Sequence, residues 1–431
     1  MSKRLRRHRR NPVPAAPKAS QFPLQKAVTT GAVAAGLAVL AAPSADAATF
    51  TVTNTSDAGA GSLRDAIAQA NNNLGADVIT FNASVTGTIT LTTGQLYISD
   101  DLDVQGPGAS VLTVSGNNSS RVFYIYNSDA LINVTLSGLT ITQGTANIGG
   151  GVVDFGENLT LDHVTVTSNT ASGPGGGVGK AGYYGTITVL DTTISGNTAL
   201  WGGGIYLYGN NSPVLIQDSM ITGNQTSGGP GGGIYFYGPN YDVTIRRTTI
   251  SGNTAGGSGG GIYFYDTDGG AIVIEDSTIS GNQSGFSGGG IYFYNVDDPV
   301  TITNTTVTGN SAPYGGGIVF YGSGVAPFTI NLSTISGNTA TMIAGNLASY
   351  GNAVTLNNTI VADGVAPVDP DLFGGTFTAN FSLIETPGSA TLITGPGTVT
   401  GVDPQLGPLQ NNGGTTQTRM PAPASPAINA G

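Results

Sequence analysis

The chain has 431 residues, of which 68 are glycine, 9% are charged and none is cysteine. Without cysteine there is no disulfide staple, thiol catalysis or thiolate metal site, and the surplus of Thr, Ser, Asn and Gly over helix formers points to an all-β chain. The formal charge of −11 repels phosphate backbones, which excludes nucleic acid as a partner.

Residues 1–47 read as a secretory signal, with a basic start (MSKRLRRHRR), an apolar run (AVTTGAVAAGLAVLAAP) and the small-residue cleavage site Ala45-Asp46-Ala47. Its removal takes eight of the 14 Lys and Arg, leaving Arg64, Arg121, Lys180, Arg246, Arg247 and Arg419 against 24 acids, a net −18. A secreted or cell-surface location is therefore expected.

Residues 48–75 form an N-terminal strand and a helix. In GSLRDAIAQANN, from Gly61 to Asn72, Leu63, Ile67 and Ala70 fall on one face and can plug the open end of a core.

From residue 76 to 362 the sequence repeats. The Asn of each SGN or TGN turn falls at 169, 197, 224, 253, 282, 310 and 338, in steps of 28, 27, 29, 29, 28 and 28. Glycine triplets run in step, each followed by an apolar residue: Val152, Val178, Ile205, Ile234, Ile262, Ile291 and Ile318. A period this regular means stacked units. Each unit holds three short β-like pieces, such as IYFY from Ile234, Val243 to Ile245, and Thr249-Ile250. With no room for a crossover helix, the chain coils as a right-handed parallel β-helix, each coil about 4.8 Å above the last. Nine coils span Phe123 to Leu347, and residues 78–115 supply about two more. Residues 363–431, rich in Pro and Gly, form a C-terminal cap.

The columns of the repeat define corners and faces. Asp191, Asp218, Arg247, Asp276, Asn304 and Asn358 share a bend that suits a left-handed residue, and His163 takes the same place. Arg247 lies between Asp218 and Asp276, and Arg246 beside Glu275, a pattern of surface ion pairing rather than of a cationic catalytic spot. At the inward position of Leu207, Phe236, Phe264, Phe293 and Phe320, two earlier coils carry Lys180 and Asp154. Desolvating both charges is costly, so a bulge in the glycine-rich GPGGGVGKAGYYG that turns Lys180 outward is expected.

Two outward columns are tyrosine: Tyr206, Tyr235, Tyr263 and Tyr292, and beside them Tyr208, Tyr237, Tyr265, Tyr294 and Tyr321. Exposed tyrosines stack on sugar rings and offer hydroxyls, so this strip is the expected ligand-binding face; stacking along the coils explains the columns equally well. The loops after these strands collect acids. Asp266, Asp268, Asp297 and Asp298 make a candidate calcium site, with Asp242 nearby; no other cofactor is expected.

The order of these parts resembles a family of exported bacterial right-handed β-helix proteins related to the polymorphic outer-membrane proteins. Their N-terminal motif reads approximately Cys-Ser-Leu-Arg-Glu-Ala; here Gly61-Ser62-Leu63-Arg64-Asp65-Ala66 lacks the cysteine and has Asp for Glu. The GGGI units, the SGNTA turns and the tail from Asp403 to Gly431, similar to a choice-of-anchor segment, extend the resemblance over nearly all of the mature chain. It implies a secreted or surface protein, adhesin-like or passenger-like, without implying an activity.

The expected function is that of a monomeric surface interaction protein, taking an extracellular glycan or a surface protein through the tyrosine strip. The alternative is a polysaccharide lyase or glycoside hydrolase using the acidic loops. A lyase wants a Lys or Arg base beside its calcium carboxylates and a hydrolase wants convergent acids. No base accompanies the acids at that corner, and the reading leans away from an enzyme.

Overall fold

A computed structural model describes residues 47–209, 212–239, 241–267, 269–322 and 326–428. The signal, except for its last residue, and Asp268 of the candidate calcium site lie outside the described residues.

Over the described residues the chain is an all-β, right-handed parallel solenoid of about 11 turns, each of about 28 residues, with one short helix near its start. In the unit that opens at Gly231 the strands are Ile234–Tyr237, Val243–Arg246, Thr249–Ser251 and Thr254–Ala255. Each pairs in parallel with its counterpart one coil on, Ile262–Tyr265, Ile272–Glu275, Thr278–Ser280 and Gln283–Ser284. The fourth strand, two residues long here, adds one piece to the three expected; among the described residues eight strands of this column, the last two longer, make a narrow sheet of their own. The first two columns share one sheet because Leu347–Asn357 and Leu372–Asn380 run through both.

Alternation fills the interior. Ile234, Phe236, Val243, Ile245 and Ile250 point inward with no exposure, each burial worth roughly 1.5–3 kcal/mol. Phe236, Phe264, Phe293 and Phe320 stack face to face, with centroids 4.5, 5.0 and 5.1 Å apart.

The corners follow the expected chemistry. His163, Asp191, Asp218, Arg247, Asp276, Asn304 and Asn358 are left-handed, with φ between 45° and 53°. Leu332 and Phe381 are also left-handed, with φ of 49° and 48°, a conformation that costs a branched or bulky residue about 1–2 kcal/mol. Arg247 pairs with Asp218 through two hydrogen bonds of 2.7 and 2.8 Å on the partly exposed surface. Arg246, register partner of Glu275, gives its hydrogen bond to Gln217 at 2.6 Å.

At the start, helix α1 (Leu63–Ala70) buries Leu63, Ala66, Ile67 and Ala70. Ser62 caps it by accepting from the Asp65 N–H, and the Asp65 carboxylate reaches past Ser62 to accept from the Gly61 N–H. Arg64 ties the helix to the coils by donating to Asp57 and to the Gly94 and Gln95 carbonyls. Burial pushes the Asp57 carboxyl up, but hydrogen bonds from Arg64, Thr93 and Thr92 outweigh it and hold the group well below the usual carboxylate range.

At the other end the coils continue past Ala362, through Leu372–Asn380, Leu383–Ile384, Thr391–Thr394 and Val399–Thr400. An antiparallel hairpin, Leu406–Gln410 with Thr418–Pro421, then folds back onto the solenoid. Thr278 donates to the Gln417 carbonyl at 2.5 Å, and Arg419 reaches Ser336 at 3.0 Å and Asp363 at 2.9 Å. The expected end cover thus lies partly along the side, as a clasp across several coils.

Candidate functional site

The two tyrosine columns occupy alternate positions of one strand stack, and the structure separates their roles. Tyr206, Tyr235, Tyr263 and Tyr292 are 6–8% exposed, so the expectation of two exposed columns is corrected for this one. The glycine corner before each strand is the reason. A Cβ on Gly231, Gly259 or Gly288 would sit 2.6–2.7 Å from the Cβ of Tyr235, Tyr263 or Tyr292. The corner therefore lies against the tyrosine that follows it. Together with Trp201, Ile343, Val319 and Phe373 these rings form a second apolar cluster outside the main core. Burial pushes all four phenols far above their ordinary range and keeps them neutral.

Tyr208, Tyr237, Tyr265 and Tyr294 are partly buried and Tyr321 is 46% exposed. Their rings are stacked, with centroids 5.2, 4.9, 5.2 and 5.2 Å apart and planes within 24° of parallel. Tyr350 and Phe373 extend the line at tilted angles. The rings thus stack along the coils, the second of the two expectations for these columns, and each face is taken by the ring above or below, so the column is no flat platform for a sugar. It presents ring edges and hydroxyls in a row with a repeat near 5 Å.

The row ends in a cleft of about 340 Å³ lined by Tyr183, Tyr208, Gly209, Tyr237, Gly238, Asp266, Thr267 and Asp297. Tyr183 tilts 58° against Tyr208, at 6.1 Å. Its hydrogen bond, with burial behind it, pushes the Tyr208 phenol up. A Cβ on Gly209 would meet the Tyr183 ring at 2.9 Å, so only glycine admits this approach. The sequence gives little sign of Tyr183, which sits in the irregular GKAGYYG coil without a column partner.

The acidic loops are held by separate hydrogen bonds. Asp298 accepts from the Gly269 and Gly270 N–H groups at 2.6 and 3.1 Å, and Asp266 from the Asn295 amide at 2.6 Å. Asp297 is exposed at the cleft. Among the described residues these carboxylates do not gather three oxygens within 4.8 Å of one another. Two other groups bring three ligand atoms that close, Asp162–His163–Asp191 with two oxygens and a ring nitrogen, and Asp363–Glu385–Asp403 with three oxygens. The first surrounds the bend histidine, whose Nδ1 lies 2.6 Å from Asp162; that contact pushes its pKa up. In the second, Asp363 is already paired with Arg419.

Lys180 departs most from expectation. Its strand pairs regularly, with Asp154 opposite Lys180 and Lys180 opposite Leu207. No bulge turns it out, and Lys180 and Asp154 are both unexposed, 2.5 Å apart. The partner carboxylate and two backbone groups of Glu157 supply the polar contacts that a bulge would otherwise have been needed to reach.

The repeated SGN asparagine also has a role that its turn signature conceals. The glycine before it takes the left-handed conformation, as Gly252 does with φ 62°, while Asn253 turns inward with no exposure. Its Oδ1 accepts from the Asn224 backbone N–H and side-chain amide, and its Nδ2 donates to the Ile221 carbonyl and to Asn282 Oδ1. The pattern repeats from Asn169 to Asn338, passes through Asn346 and ends on buried Asp371. The third glycine of each triplet makes room: a Cβ on Gly233 would lie 3.1 Å from the Asn253 amide. GGG and SGN are two sides of one contact.

Stacked coils, an internal asparagine ladder and an external tyrosine row define a parallel β-solenoid. The chain belongs to the family described as right handed beta helix region, whose model matches residues 121–295 and 231–361. Among solved structures it is similar to the Azotobacter vinelandii mannuronan C-5 epimerase AlgE6 A-module, at 12% identity and a TM-score of 0.29, over 81% of this chain and 97% of that one. No curated protein sequence matches it.

Proposed function

We propose that this chain is a secreted or cell-surface β-helix protein that binds polysaccharide, in the manner of an adhesin, along its outer tyrosine row. The observation that carries the reading is the cleft where Tyr183, Tyr208 and Tyr237 meet Asp266 and Asp297. Apolar ring edges beside acceptor oxygens suit the alternating CH and OH groups of a sugar. The row that leads away from it through Tyr265, Tyr294 and Tyr321 suits an extended chain lying along the solenoid axis. The net −18 outside the signal opposes polyanions, so a neutral polysaccharide is the favoured ligand class. Affinity electrophoresis in gels containing neutral or acidic polysaccharides tests this: retardation in neutral gels that is lost on Tyr237→Ser supports it, and equal mobility in every gel refutes it.

Asp266 and Asp297 on one cleft favour a second reading, a glycoside hydrolase with paired carboxylates. It predicts release of reducing sugar, abolished by Asp266→Asn. Binding without release leaves the first reading.

A further inference from the structure

The interior column that becomes a phenylalanine stack begins differently. In register, Ile125 is followed by Asp154, Lys180 and Leu207. The lysine and the aspartate therefore meet inside the solenoid, between aliphatic side chains and away from solvent. Lys180 Nζ lies 2.5 Å from Asp154 Oδ2 and 2.6 Å from the Glu157 carbonyl. Asp154 Oδ1 accepts from the Glu157 N–H at 2.7 Å. Nearby, the Glu157 carboxylate is buried and held by the Asn127 and Ile132 N–H groups at 2.8 and 2.9 Å. Two carboxylates and one ammonium are thus enclosed in an apolar interior, an arrangement expensive to keep fully charged.

We propose that Lys180 and Asp154 are joined by an intramolecular isopeptide bond, from Nζ to Cγ, formed by the folded protein itself. A proton passes from the ammonium to the carboxylate along their contact. The freed amine lone pair attacks Cγ, the C–OH bond breaks, and the hydroxyl leaves with a proton from nitrogen as water. One ion pair becomes one neutral amide and one water, without oxidant, reductant or cofactor.

Three features of the site support this step. Burial pushes the Asp154 carboxyl up and the Lys180 ammonium down, so that each moves toward the form that reacts. Fixing both groups in one dry geometry supplies the large effective concentration of an intramolecular reaction. The product also fits without rearranged partners. The new N–H would keep the Glu157 carbonyl as acceptor, and the new C=O would keep the Glu157 N–H as donor. The bond would tie together adjacent coils 26 residues apart and remove two buried charges.

The test is mass spectrometry of the full-length protein after folding and denaturation, followed by peptide mapping. The expected result is a mass lower by one water, with the peptides of Asp154 and Lys180 recovered as a single branched species. Lys180→Arg should restore the full sequence mass. The wild-type measurement decides even where that variant folds poorly: wild-type protein at full mass, or a water loss that maps elsewhere, overturns the proposal.

Discussion

Replacing Asn253 by alanine tests whether the buried asparagine ladder holds the coils in register. The change removes four side-chain hydrogen bonds of 2.9–3.0 Å. Asn282 Oδ1 keeps its bond from the Asn253 N–H, but the Asn224 backbone N–H and one hydrogen of its amide lose their acceptor. Two buried donors stranded at roughly 2 kcal/mol each give a loss of about 4 kcal/mol. Asn253→Asp keeps the acceptor, loses both donors and buries a charge, so its cost should equal or exceed that of alanine. Urea unfolding followed by circular dichroism measures the total. Because a solenoid can lose cooperativity coil by coil, amide exchange at Asn224 supplies the local reading. A loss under about 1 kcal/mol, with Asn224 exchange unchanged, would show that the ladder does not hold the coils in register.

Other outcomes follow from single positions. Asp371 ends the ladder with a carboxyl that burial pushes up from an ordinary 3.8 to about 6. Between those values the folded state holds the proton more tightly than the unfolded one, so stability from this group falls as pH rises through the window. Wild type should gain relative to Asp371→Asn as the pH is lowered from 7 to 5, by thermal melts; a difference that is constant or shifts the other way contradicts the burial account. Gly223, with φ 63° and no atom within 4 Å of where a Cβ would stand, should tolerate alanine at about 1–2 kcal/mol for the left-handed backbone. Gly260→Ala should cost clearly more, because its Cβ would meet the Gly289 carbonyl oxygen at 2.4 Å; equal melting temperatures would deny that the coils touch there. Tyr263→Ala should lose about 3–5 kcal/mol as a buried aromatic, whereas Tyr265→Ser should lose polysaccharide binding with a much smaller change in melting.

The architecture is legible in the sequence because its cause is periodic. Alternation in IYFY and VTI separates inward from outward positions, and Asp, Asn or His at one bend marks a left-handed residue irrespective of neighbours. What is less legible depends on packing between coils. Asn253 looks like turn punctuation because asparagine tolerates left-handed backbone; only Gly252 taking that conformation frees the side chain to turn inward. Tyr235 is outward with respect to the sheet, yet alternation cannot show that the Gly231 corner lies over it. Lys180 looks too costly to bury because its partners, the Asp154 carboxylate and the Glu157 backbone, come from a coil 23 to 26 residues away. The tyrosine repeat allows both stacked rings and open faces; only the near-parallel ring planes of the assembled coils show that the faces are closed.

The division between a covered and an accessible tyrosine column is most directly tested by O-acetylation of the native protein, mapped by peptide mass spectrometry with and without a bound neutral polysaccharide. Tyr237, Tyr265, Tyr294 and Tyr321 should be modified and become protected when polysaccharide is added, while Tyr206, Tyr235, Tyr263 and Tyr292 stay unmodified throughout. Equal labelling of both columns, or outer-column labelling that no polysaccharide changes, would contradict the account.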